Sequence, residues 1–330
     1  MIFFEENKPL NKQILESLQP ILSSSKHVSI NEEQILNFVL EIDDETMSKF
    51  ERDDFFCKIM RKHVPNKGDA IDLLGAFNSI NFCYWSKNKA DKWRYTSKIS
   101  QKEEDGATAL FLALIENYKK DNNIFTGSNL KALDQKNLKT IIINRNNIPL
   151  FNERLHILRD FGKTIETKYL NHFYNFVEVN ARFKASKIIT NLLFAFPSFN
   201  DSYKYNDKWI WFLKRAQLLL SMIHDQFEDF FDISVVEELT AFADYKIPMM
   251  LEKEGILKYS NELKEKIEKR ELIPKDSRME LEIRASMIQA IEEIKKKSRR
   301  KITSAHIDNL LWEKSQRIHG NYHLTLTTAY

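Results

Sequence analysis

Glycine and proline are scarce, with seven of each in 330 residues, against averages of about 7% and 5%. A many-stranded sheet protein needs those residues for its turns, so the chain is expected to be mainly α-helical. The same scarcity removes whole chemistries. No GxGxxG, GxxxxGK[ST] or GxSxG run occurs, so no glycine loop can cradle a phosphate and no nucleophile elbow is present. Any phosphate must be held by side chains or helix ends. Cysteine is equally sparse. Cys57 and Cys83 are too few and too far apart for a zinc motif or a disulfide framework, so a reducing, cytoplasmic setting is expected, with no metal and no cofactor. No segment approaches the ~18 apolar residues of a membrane span, and the opening MIFFEENK lacks a basic n-region, so no membrane association is expected. Excess charge is missing too: 50 Lys and Arg stand against 47 Asp and Glu, a net charge of +3. A general polyanion-binding surface is not implied.

What is present is apolar periodicity at helical spacing. The length allows a large core, and a single domain over 1–330 is expected, with a helical N-terminal portion, 1–64, packed on it. Phe55, Phe56, Ile59 and Met60 mark its third helix, which His63 ends. A histidine there is more often a helix-end residue favoured by the dipole than a catalytic group. Further helices are expected over 106–118, 128–143, 150–161 and 164–176 on either side of Gly162, 185–196, 260–272 and 277–297. Phe82, Tyr84, Trp93 and Tyr95 alternate as strand residues do, which predicts a small hairpin within 82–97 turning across 87–91. Four large aromatics in that stretch form either a core plug or a stacking surface. The run from Trp209 to Phe227 is nearly continuously apolar and reads as one buried helix. Lys214, Arg215 and Asp225 on it need partners unless they snorkel to the surface.

Two carboxylates stand out. Asp244, in Phe242-Ala243-Asp244-Tyr245, lies between two short helical signals. Ser234 with Glu237 reads as a capping box, Pro248 suits a first turn, and Gly255 suits a helix end. Asp244 is thereby placed on a fixed corner, either as a turn residue capping the next helix or as a held charge. Asp308 lies one turn before Trp312 on a last helix capped by Thr303 or Ser304, so a carboxylate and an indole share a face. The basic run from Lys295 to Lys301 is either a solvated helix end or an RNA contact.

The motifs NFCYW (81–85), PLFNERLHILRDFGK (149–163), FPSFND (196–201), FLKRAQLLL (212–220), LTAFADYKIPMML (239–251), LKYSNEL (257–263), ELEIRA (280–285) and HIDNLLW (306–312), in that order, resemble the queuosine salvage protein family. Those enzymes hydrolyse the N-glycosidic bond of queuosine 5'-phosphate, freeing queuine and ribose 5-phosphate, and their fold is similar to that of helical DNA glycosylases. The resemblance implies that Asp308 is the catalytic carboxylate, that Phe242 and Asp244 contact the base, and that Phe82 with Tyr84 or Trp85 lines the pocket. His63 corresponds loosely to a base-contacting histidine. Lys214 is the candidate for the phosphate, and Asp225 and Tyr330 complete the expected substrate-binding set. The expected partner is therefore a small nucleotide, queuosine 5'-phosphate, with no stable nucleic-acid partner. A non-catalytic queuosine-binding protein and a helical nucleic-acid glycosylase are the alternatives. Two departures are visible: where the family has a histidine followed by two arginines at alternate positions, His323 is followed by Leu324 and Leu326, and Phe227 stands where the family often has tryptophan.

Overall fold

The computed structural model describes residues 4–42, 55–143, 146–228, 230–318 and 320–330. Part of the 1–64 region expected to be helical (43–54) and the apolar start (1–3) therefore lie outside the described residues. Among the described residues the chain is mainly helical, as its composition requires, and strands occur only as short antiparallel pairs. No helix among them is long and apolar enough to cross a membrane.

Local chemistry places several helix starts. Ser277, Thr303 and Ser260 accept backbone N–H groups at the starts of Arg278–Lys297, Ser304–Gln316 and Asn261–Glu268, satisfying donors that a helix leaves orphaned. Gly255 follows Lys246–Lys253 with φ of +71°, the left-handed conformation that favours glycine. The cap before Ile233–Glu237 is Asp232, whose carboxylate accepts from Ser234 N at 2.8 Å, not Ser234 as expected.

Three expectations are corrected. Phe151–Lys168 is one unbroken helix. Gly162 lies inside it because a Cβ there would meet Lys131 N at 2.5 Å and Gly127 O at 2.8 Å: it is a packing glycine, not a terminator. The run from Trp209 to Phe227 is also not a single helix. Lys208–Trp211 pairs as a strand with Ser202–Tyr205, and the helix spans Lys214–Gln226. Continuous apolarity alone does not separate a buried strand from a buried helix. Finally, there is no hairpin over 82–97. Arg94–Thr96 pairs instead with Glu103–Asp105, because the backbone of the aromatic stretch is engaged elsewhere. Arg154 donates to the carbonyls of Ile80, Phe82 and Cys83, and Cys83 N donates to Tyr330 O at 2.8 Å.

One continuous apolar core runs from Phe4 to Tyr330. Lys67–Ser79 and Gly106–Tyr118 cross its centre, almost wholly buried over their last ten residues. The N-terminal segment is stitched to the far end of the sequence. Leu10–Leu22 packs on Arg278–Lys297, and Val28–Ile30 pairs with Leu257–Tyr259. The Glu282 carboxylate also accepts from Ser25 Oγ and from the N–H groups of Lys26 and His27.

Candidate active site

The cavity has a volume of about 620 Å³, in the range of small-molecule sites. Its base is the junction between Ile233–Glu237 and Lys246–Lys253. Here Asp244 Oδ1 accepts from Lys246 N at 2.7 Å and from Ile247 N at 3.0 Å, so Asp244 does cap the following helix. The same side chain lines the cavity, and capping is what holds the charge in place. Two residues earlier, Phe242 N donates to Asp308 Oδ1 at 2.8 Å. The last helix thus presents its buried carboxylate directly against the corner.

The KRAQ segment assembles the opposite wall. Gln217 pins the approach to the corner, with Oε1 accepting from Thr240 N at 2.8 Å and Nε2 donating to Thr240 Oγ1 at 3.0 Å. Arg215 is buried and donates to the carbonyls of Asn78, Ser79 and Ser198. Together with Arg154 it satisfies the carbonyls that the Lys67–Ser79 helix leaves exposed at its end. Lys214 reaches inward, its Nζ 3.4 Å from Asn81 O. None of these charges snorkels to the surface.

The electrostatics follow from this burial. Loss of solvent pushes Asp308 well above the ordinary carboxylate value of 3.8, and the neighbouring charge of Asp244 adds to the rise; Phe242 N–H and Lys214 oppose it. Asp244 is raised by burial too, against the pull of Lys214 and its two backbone donors. Burial lowers Lys214 to about 8, with Asp244 and Asp308 resisting. Both buried carboxylates therefore feel the Lys214 ammonium, and Lys246 also acts on Asp244.

Of the residues expected from sequence, Asp308, Phe242, Asp244, Tyr84, Lys214, Asp225 and Tyr330 line this cavity. Three do not. Phe82 lies between guanidinium groups, 4.2 Å from Arg154 and 5.3 Å from Arg215, and is wholly buried by them. Trp85 donates Nε1 to Thr325 O at 3.3 Å and packs in the core. His63 ends Phe55–His63, its pKa lowered by burial and by Lys119 and Lys62. Asn81, Tyr245 and Trp312 line the cavity without having been assigned a role in it. Asn81 holds Tyr84, whose hydroxyl donates to its Oδ1 at 2.9 Å, and its signal was present in the NFCYW motif.

Residues 62–329 match the model of the family described as queuosine salvage protein. The chain belongs to that family. A relative from Sphaerobacter thermophilus, named queuosine 5'-phosphate N-glycosylase/hydrolase, is 34% identical over 265 residues, covering 77% of this chain and 79% of its own length. Proteins of the same name from Dictyostelium discoideum and Bos taurus are 28% and 29% identical. The first covers 93% of this chain and 95% of itself, the second 74% and 75%. At the point where this queuosine salvage family member departs from the expected ending, Leu324 is fully buried and Leu326 is 52% exposed. Neither lines the cavity.

Proposed function

We propose that this chain hydrolyses the N-glycosidic bond of queuosine 5'-phosphate, releasing queuine and ribose 5-phosphate, the reaction named for its relatives. The observation that carries the reading is the joining of Asp308 to the Asp244 corner through Phe242 N, inside a cavity large enough for a nucleotide.

The 7-deazaguanine ring of queuine presents a guanine-like edge with two N–H donors. A carboxylate fixed by its own backbone bonds accepts both, which assigns Asp244 to reading the base. Phe242 beside it offers a ring face. Carbon replaces N7 in this base, so the usual protonation site of a departing purine is absent. Catalysis then depends on stabilising the ribosyl cation. Asp308 attracts the positive charge that develops at the anomeric carbon, and in the low-polarity cavity that attraction is strong. Its raised proton affinity also makes it a better base than a solvated aspartate. Water oxygen bonds to the anomeric carbon as the bond from that carbon to the ring nitrogen breaks. The bonding pair leaves with the base, the water gives a proton to Asp308, and the base takes up a proton in the end. Lys214 favours the ionised forms of the two carboxylates by supplying compensating charge.

The protein acts on a free nucleotide in the cytoplasm as a single domain, without a nucleic-acid partner. In support, three residues of the basic run near residue 300 have carboxylate neighbours: Lys295 with Glu292, Lys296 with Glu293, and Lys301 with Glu237. Incubation with queuosine 5'-phosphate, followed by chromatography, is expected to yield free queuine and ribose 5-phosphate in equal amounts. Thermal stabilisation by the nucleotide without product would leave a binding protein instead.

A further inference from the structure

Asp201 and Arg284 lie outside the cavity, yet each holds one of its walls. Arg284 is fully buried and grips Asp201 with both terminal nitrogens, Nη1 to Oδ1 at 3.0 Å and Nη2 to Oδ2 at 2.6 Å. Its Nε donates to Ala243 O at 3.2 Å, in the middle of the corner between Phe242 and Asp244. The rings of Phe212 and Tyr330 lie 4.0 and 4.2 Å from the guanidinium carbon. On the other side, Asp201 Oδ2 accepts from Lys214 N at 3.1 Å, and Asp201 O accepts from Phe212 N at 3.0 Å. The intervening residue, Leu213, has φ of +55° and ψ of 36°, a conformation costly for a branched side chain, which persists only where the surroundings enforce it. A buried ion pair adds little net stability over well-packed apolar residues, because desolvation offsets its attraction. Its directional bonds to both walls are what an apolar pair cannot supply.

We infer that Asp201 and Arg284 form a positioning pair for catalysis: they lock the start of the Lys214–Gln226 helix to the Phe242–Asp244 corner and so set how the Lys214 ammonium faces Asp308 and Asp244. The inference rests on the catalytic roles proposed above. The charged groups acting on Asp308 are Asp244 from the corner and Lys214 from its helix. Arg278–Lys297 directs Arg284 at Asp201, with Glu280 3.4 Å from the same guanidinium. The Lys246–Lys253 helix adds Lys246 to the cavity, and His306 lines it from Asp308's own helix.

The test compares full-length wild type with Asp201→Asn and Arg284→Lys, each assayed on its folded fraction. A misplacement of about 1 Å costs on the order of 100-fold in rate. Asp201→Asn is therefore expected to lower kcat by roughly that factor while KM changes less than about threefold. Because Lys214 favours the ionised form of Asp308, loosening it moves the acid limb of the pH profile upward. A folded Asp201→Asn enzyme with wild-type kcat and an unmoved acid limb, showing only a lower Tm, overturns the inference. Should both variants fail to fold, Tyr203→Phe removes only a hydroxyl 3.4 Å from Arg284 Nη1; it is expected to lower kcat severalfold, and an unchanged kcat counts against the pair. Carboxyl carbon-13 titration of aspartate-labelled protein, with the Asp308 signal identified by its loss in Asp308→Asn, reads the same shift without substrate. If wild type releases no queuine, the proposed function fails, whereas the titration still decides whether the pair controls Asp308. An Asp308 midpoint that is the same in wild type and Asp201→Asn rejects it.

Discussion

Phe242 N and Asp308 Oδ1 are 2.8 Å apart across 66 positions of sequence. The bond makes one unit of the corner that carries Asp244 and the helix that carries the second carboxylate. A base seated on the corner is thereby seated at a fixed distance from Asp308, which is how orientation becomes rate.

Asp308→Asn keeps the acceptor for Phe242 N and removes the charge. Turnover of queuosine 5'-phosphate is expected to fall by about 1000-fold or more, while queuine binding by calorimetry survives. Activity within a few-fold of wild type would remove Asp308 from the chemistry.

In the proposed reading of the base, Asp244→Asn replaces a charged acceptor with an amide that presents a donor. Loss of a charged hydrogen bond costs about 1.5–3 kcal/mol, so the dissociation constant for queuine should rise roughly 10- to 100-fold. An unchanged constant would mean that the base is read elsewhere.

The pH dependence has a definite sign on each side. In the proposed mechanism Asp308 acts ionised, and burial holds its pKa well above 3.8, so kcat/KM is expected to decline as pH falls through that raised value. Lys214 titrates at about 8, and above it the carboxylate pair loses its counter-charge. Lys214→Arg, which stays charged, is expected to abolish the basic limb. Lys214→Ala should slow the phosphorylated nucleotide and the free nucleoside alike. A selective loss on the phosphorylated substrate would return Lys214 to phosphate binding.

Stability carries the opposite imprint. At pH values between the unfolded carboxylate range and the raised folded values, the folded state retains protons on Asp308 and Asp244 that the unfolded chain has released. Stability from these groups is therefore present below the unfolded value and is lost as pH rises through the folded ones. Asp308→Asn should melt above wild type at pH 8, with a smaller gap at pH 5. A gap that does not depend on pH would refute the linkage.

Gly162→Ala tests the fold apart from the site. Its Cβ would meet backbone atoms of the Gly127–Lys131 helix, and overpacking of this kind costs about 1–3 kcal/mol. Tm should fall while the activity of the folded fraction is unchanged. An unaltered Tm would show that the two helices part easily.

The sequence by itself determined the class of fold and much of the cavity wall. Scarce glycine and proline forced helices, capping residues marked some of their starts, and Asp244, Asp308 and Lys214 stood out because charges amid apolar residues need a reason. Only the tertiary structure decided which aromatics face the cavity. Phe82 and Tyr84 belong to one motif, yet two guanidinium groups enclose Phe82 and leave Tyr84 at the wall. Arg154, Arg215, Arg284 and Asp201 were legible as residues but not as partners. Their bonds join distant segments, including backbone carbonyls that no side-chain pattern reveals. Asp244 itself is settled in the same way: its capping bonds are local and readable, while its place opposite Asp308 depends on a backbone bond between the corner and the last helix.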